Sequence, residues 1–180
     1  MAKGSRSTRS KSSGSQSSGK SGKKRKPLVG VVYASTSDEP VMRECEAVLD
    51  RFGIPYERKL LSAHRMPHST AEYAQTARKR GLKVLITGTG MAAHLPGVLA
   101  SMTTIPVIGV PLRGSALEGK DALFSMVQMP SGVPVATVAI GKAGAKNAAV
   151  LAAEILALSD PALTRKLDDL KKKMEAGEKI

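Results

Sequence analysis

From Pro27 onward, short unbroken apolar runs alternate with stretches whose apolar residues recur at helical spacing. Residues 28–33 are β-branched and show no polar alternation, the pattern of a strand buried on both faces of a parallel sheet. A helix then begins within Ser37-Asp38-Glu39-Pro40. Ser37 or Asp38 can cap its free amides, Glu39 suits the positive end of the dipole, and Pro40 fits a first turn that needs no amide. Val41, Cys45, Val48, Leu49 and Phe52 form one stripe, and Gly53 ends the helix. The unit repeats: residues 54–61 read as a second strand, and a helix over about 67–80 stops at Gly81. Residues 84–86, 107–110 and 135–140 supply three more strands, each with a helical pattern after it. Strands alternating with helices predict an α/β fold, a three-layer αβα sandwich around a central parallel sheet of flavodoxin- or Rossmann-like type. A small, apolar helix over 143–158 is of the kind that packs closely against another helix, either within the sheet layers or across subunits. A charged helix within 161–180, with Leu163, Leu167, Leu170 and Met174 at helical spacing, is expected to dock on a neighbouring subunit.

In such sheets ligands bind beyond the carboxyl ends of the strands, so the loops after the first three strands should meet around a site. The first, Ala34-Ser35-Thr36-Ser37-Asp38, offers hydroxyls and helix-start amides to a phosphate, and Asp38 to sugar hydroxyls; capping alone accounts equally well for Ser37 and Asp38. The second, Ser62-Ala63-His64-Arg65-Met66-Pro67, sets a group that titrates near neutrality beside a permanent cation with a fork for phosphate. The third runs from Gly88 through Thr89, Gly90, Met91, Ala92, Ala93, His94, Leu95 and Pro96 to Gly97. It is a small-residue turn that lets backbone amides approach a bound group. His68 is expected to face solvent. No GxGxxG, Walker lysine motif or GxSxG elbow occurs, and Cys45, His64 and His94 fit no metal template, so neither a nucleotide cofactor, a structural metal nor a serine hydrolase is expected.

Charge changes the picture only at one end. The net +13 suggests a nucleic-acid binder, but nine Lys and Arg and no acid lie within residues 1–26, so most of the excess belongs to a Ser/Gly/Lys tail. That composition cannot bury enough surface to offset ordering, so the tail is expected to be disordered, with at most weak, salt-sensitive contact to nucleic acid. Lys23-Lys24-Arg25-Lys26 also matches a nuclear-import pattern, a weak signal. With one cysteine, no run long enough to span a bilayer and no secretory pattern, a cytoplasmic protein is expected, its catalytic domain spanning residues 27–160.

Five ordered blocks carry a family resemblance: Ser35-Thr36-Ser37-Asp38, Ser62-Ala63-His64-Arg65, Ala92-Ala93-His94-Leu95-Pro96-Gly97, the stretch over residues 128–141 that opens Gln128-Met129-Pro130-Ser131-Gly132, and Ala143-Gly144-Ala145-Lys146-Asn147-Ala148-Ala149. From about residue 27 to 158 the chain resembles the class I 5-(carboxyamino)imidazole ribonucleotide mutases of purine biosynthesis. The resemblance implies an octamer with no cofactor, which moves a carboxylate from an exocyclic nitrogen to a ring carbon. Ser35, Asp38 and Arg65 would bind the ribose phosphate moiety with Ser37 in support, and Ser62 would join the substrate site. His64 would be the general acid and base. Carbon dioxide would be held in the pocket from Gly88 and Gly90 to His94 and Leu95, a proximity effect.

The chain departs from the family pattern at four places. Ala34 replaces a glycine, which strains the loop if that position needs a positive φ and merely uses room if it does not. Glu39 replaces an aromatic. Met91 replaces a glycine and either narrows the pocket or points into the core, the core being the expectation. Arg113-Gly114 replaces a neutral polar pair, adding a cation that could meet a substrate phosphate or a related carboxylated substrate. Two other readings stand beside the mutase: direct carboxylation of aminoimidazole ribonucleotide, and a non-catalytic relative that binds a ribonucleotide.

Overall fold

The structure, a computed structural model, describes Met1 and residues 25–178, so nearly all of the expected disordered tail over 1–26 lies outside the described residues. Five parallel strands run in the order β2-β1-β3-β4-β5: β1 Val29–Tyr33, β2 Tyr56–Leu60, β3 Val84–Thr89, β4 Val107–Pro111 and β5 Ala136–Thr137. Between and after them lie α1 Glu39–Phe52, α2 Pro67–Arg80, α3 His94–Met102, α4 Lys120–Val127, α5 Lys142–Ala157 and α6 Pro161–Glu175.

The unbroken apolar runs are explained by two cores, one on each face. Successive strand residues point to opposite faces. Val29, Val31, Ile86, Ile108 and Val110 therefore pack under α1, α5 and α6, while Val32, Leu85 and Val107 pack under α2 and α3 with Tyr73, Ala74, Leu95 and Leu99. α1 buries Met42 as well as the expected Cys45, Val48, Leu49 and Phe52. Gly53 and Gly81 stop α1 and α2 with φ of 68° and 97°, the left-handed conformation that frees glycine from a Cβ clash.

Two strands are shorter than the residue pattern implied, and both lie at sheet edges. β2 carries Glu57-Arg58-Lys59 with little burial, charges that blunt an edge against further pairing. The fifth run is in register with β4 at Ala136 and Thr137, and beyond them the Val138 and Gly141 amides still donate to the Gly109 and Pro111 carbonyls at 3.1 and 2.9 Å. Beyond it the chain is drawn to the start of α5, where a Cβ on Gly144 would overlap the Ala139 carbonyl.

The two terminal helices both pack within the chain. On α5, Ala145, Ala148, Ala149, Ala152 and Ala153 are fully buried within the chain, where small side chains let the helix lie close to its neighbours. α6 is capped by Asp160, whose carboxylate accepts from the Ala162 and Leu163 amides at 2.9 and 3.3 Å. Its Leu163, Leu167 and Leu170 are buried against the chain's own α5 layer and only Met174 stays exposed, so the stripe expected to dock on a neighbour is used within the subunit. Among the described residues, no helix is long and apolar enough to cross a membrane.

Candidate active site

The carboxyl ends of the strands open on a cleft of about 660 Å³ walled by the loops after β1, β2, β3 and β4. Its first corner is a single turn of 3₁₀ helix over Thr36–Asp38, with Ser35 as the cap. The Ser37 amide and hydroxyl donate to Ser35 Oγ at 3.3 and 2.9 Å, and the Ser35 amide donates to Asp38 Oδ2 at 3.0 Å. This reciprocal arrangement is a capping box. It corrects the expected capping role: α1 has no side-chain cap bond, and Asp38 folds back onto Ser35. Burial pushes the Asp38 carboxyl above the usual range, while the amides of Ser35 and Ala34 pull it down. The described non-glycine residues with positive φ are Met91, Ala93 and Glu118, so Ala34 uses room without backbone strain.

The second loop turns back on itself. Ser62 is buried, and its hydroxyl accepts from the Arg65 amide at 3.3 Å and Arg65 Nε at 3.4 Å. Arg65 Nη2 in turn donates to the Ala34 carbonyl at 3.0 Å, so the guanidinium is pinned over the end of β1 beside Ser35. The residue before Arg65, His64, is exposed and lines the cleft, and His68 is exposed as expected.

Thirty residues away in sequence, His94 opens α3, and its Nδ1 lies 2.6 Å from His64 Nε2. The rings meet edge to face, with centroids 4.8 Å apart and planes at 82°. A neutral imidazole offers one donor and one acceptor, so the contact requires one ring to donate and the other to accept. Each ring thereby fixes the other's tautomer. No feature of the sequence pairs these two residues, and the loop-by-loop reading missed the contact.

The third loop departs most from expectation. Gly88 does not line the cleft: a Cβ there would meet Met42 Sδ at 2.2 Å, so its smallness serves packing of β3 against α1. Gly90 does line it, and a Cβ would come within 3.1 Å of the Leu112 carbonyl. Leu95 borders the cleft but its side chain belongs to the core with Leu99 and Leu85. Met91, expected in the core, is 62% exposed at the rim with φ 55°, and Ala93 follows at φ 44°. The left-handed backbone turns Met91 away from the sheet. Glu39 lies outside the cleft wall, against Arg43 at 2.8 Å and Arg58 at 3.6 Å. Arg113 and Gly114 complete the far wall, and Thr89 of the third loop also lines the cleft. No group of three or more His, Cys, Asp or Glu among the described residues could hold a metal ion.

Comparison with known proteins matches residues 28–177 to the family model of AIR carboxylase. An N5-carboxyaminoimidazole ribonucleotide mutase from Bacillus subtilis is 58% identical over 144 residues, covering 80% of this chain and 89% of the relative. A mutase of the same name from Thermotoga maritima is 53% identical over 149 residues, covering 83% and 86%. A phosphoribosylaminoimidazole carboxylase from Saccharomyces cerevisiae is 53% identical over 150 residues, which are 83% of this chain and 26% of that one. The crystal structure of Treponema denticola PurE superposes with a TM-score of 0.72 at 30% identity, over 84% of this chain and 91% of that chain. With a match running from β1 into α6 and relatives above half identity over most of both chains, the chain belongs to the AIR carboxylase family.

Proposed function

We propose that this chain is an N5-carboxyaminoimidazole ribonucleotide mutase, a cytoplasmic isomerase of purine biosynthesis. The observation that carries the reading is the His64–His94 pair at 2.6 Å, set in the same cleft as a pinned Arg65 and the Ser35–Asp38 turn. Arg65, Ser35 and Ser37 take the phosphate, and Asp38 takes ribose hydroxyls, the ionised carboxylate being suited to hydroxyl donors and not to an anion. This leaves the base over His64. The bond from exocyclic nitrogen to carboxylate breaks with its electron pair left on nitrogen, and the nitrogen takes a proton from the His64 imidazolium. Carbon dioxide is released against the small residues Gly90, Ala92 and Ala93. The ring carbon adds to it and gives its proton to the His64 imidazole, which ends as it began. His94 fixes which His64 nitrogen carries hydrogen, and general acid–base transfer of this kind is worth about 10²- to 10⁴-fold.

An assay offering N5-carboxyaminoimidazole ribonucleotide and, separately, aminoimidazole ribonucleotide with bicarbonate tests the reading. The expected outcome is ring-carboxylated product from the first alone, without ATP. His64→Asn should bind the substrate and lose roughly 10³-fold in kcat. An active variant overturns the assignment, and product from the second mixture alone makes the chain a direct carboxylase.

The active unit is a homo-octamer in this proposal. Residues 128–141 include Met129, Val133 and Val135 yet contain no buried residue, and Phe124 and Val127 of α4 are exposed. Apolar surface of this kind is ordinarily covered by association. Light scattering should return eight times the chain mass, and a monomer at assay concentration would refute this.

A further inference from the structure

Arg65 and Arg113 are the only Lys or Arg among the described residues lining the cleft, and they stand at opposite ends of it. The Arg65 fork lies over the Ala34 carbonyl at the end of β1, while Arg113 follows β4 with β3 running between. Two strand spacings, about 10 Å, separate these anchor points. The two cations are also held differently. Arg65 is hydrogen-bonded to the backbone and to Ser62. Arg113 is 73% exposed, and its ion pair is a 3.7 Å contact with Glu118, itself 69% exposed. A contact that long is not a hydrogen bond, and solvent screens it, so Arg113 exchanges partners readily. Among the described residues the one carboxylate lining the cleft, Asp38, lies at the Arg65 end and is tied to Ser35.

We infer that Arg113 binds the carboxylate of the substrate and product while Arg65 binds the phosphate, so that the cleft selects ribonucleotides bearing a second anionic group on the base. The inference rests on the mutase reading, in which that carboxylate is the group in transit. It assigns a task to a cation the resemblance does not account for. A mobile guanidinium holds the carboxylate on nitrogen before the reaction and on carbon after it, and returns to Glu118 when the group is neutral carbon dioxide. Because substrate and product are held alike, Arg113 acts on KM more than on kcat.

The test is equilibrium binding of two ribonucleotides that differ by the carboxylate, 4-carboxy-5-aminoimidazole ribonucleotide and aminoimidazole ribonucleotide, to wild type, Arg113→Gln and Arg113→Lys. The glutamine variant should weaken the carboxylated ligand about 10- to 100-fold, the loss expected for one charge-assisted contact. It should change the other ligand less than about 2-fold, as an exposed substitution does. The lysine variant should recover part of the difference. Equal weakening of both ligands would put Arg113 on the phosphate, and no change for either would make it a bystander; each result overturns the inference. Wild-type turnover is the separate control. If wild type binds both ligands but converts no substrate, the mutase reading fails while the ratio of dissociation constants still decides the role of Arg113.

Discussion

The two walls of the cleft are built on opposite principles. On the β1–β2 side, Ser35, Ser37, Asp38, Ser62 and Arg65 are joined by hydrogen bonds of 2.9 to 3.4 Å that run from side chain to side chain and back to the main chain. On the β3–β4 side the described non-glycine residues with positive φ are concentrated: Met91 and Ala93 after β3, Glu118 after β4. Its cation, Arg113, is held by a long, exposed contact. A preorganised corner binds a group whose position is constant, since its donors lose little freedom on binding. Strain and loose ends collect where groups must move. On the function proposed above, the fixed corner would anchor the phosphate and the looser wall would work on the carboxylate.

The largest break in this comparison should come from the anchor. Arg65→Ala removes the fork that Ser62 and Ala34 hold in place, and KM should rise about 100-fold, at the upper end for a charge-assisted contact, with kcat changed far less. Steady-state kinetics decides this, and a loss confined to kcat would move Arg65 to the working wall. Next in size is Asp38→Asn, for which KM should rise about 10-fold as the ribose hydroxyls lose an ionised acceptor. The same variant carries a stability signature. Burial raises the folded-state carboxyl above its unfolded value, so the unfolded chain sheds its proton first as pH rises. Folding stability from this group is present at low pH and declines as pH climbs from the ordinary carboxylate range through the raised value. The decline in Tm across that window should flatten in Asp38→Asn, and an unchanged slope would assign it to another group, such as Glu46, which burial also raises.

How much of this was legible in the chain depends on whether a feature is local. β1, β3 and β4 announce themselves because both faces are buried, and Gly53 and Gly81 mark where α1 and α2 end. The turn after β1 was legible as a capped helix start, but not its cap: Ser35 and Asp38 close on each other within one 3₁₀ turn and neither caps α1. What the sequence hid is long-range. The fifth strand shrinks to two residues because an edge is decided by neighbours in space, and α6 turns inward because α5 offers it a face. The His64–His94 contact joins two loops that only the sheet order brings together. Gly88 looked like part of a ligand pocket because small residues serve close packing and close ligand approach alike; only the position of Met42 tells which.

The smallest effect belongs to Met91, and it tests the working wall directly. A non-glycine residue in the left-handed region costs on the order of 1–2 kcal/mol from the approach of its Cβ to the backbone, a cost glycine does not carry. Met91 has φ 55°, and at 62% exposure it buries too little apolar surface to offset that. Met91→Gly should therefore raise stability by about 1 kcal/mol, part of the relief being lost to the greater entropy of glycine in the unfolded chain. Urea denaturation at matched m-values measures it. Unchanged or lowered stability would mean that the methionine side chain makes compensating contacts at the rim, and the contrast between a relaxed corner and a strained one would then rest on Ala93 and Glu118 alone.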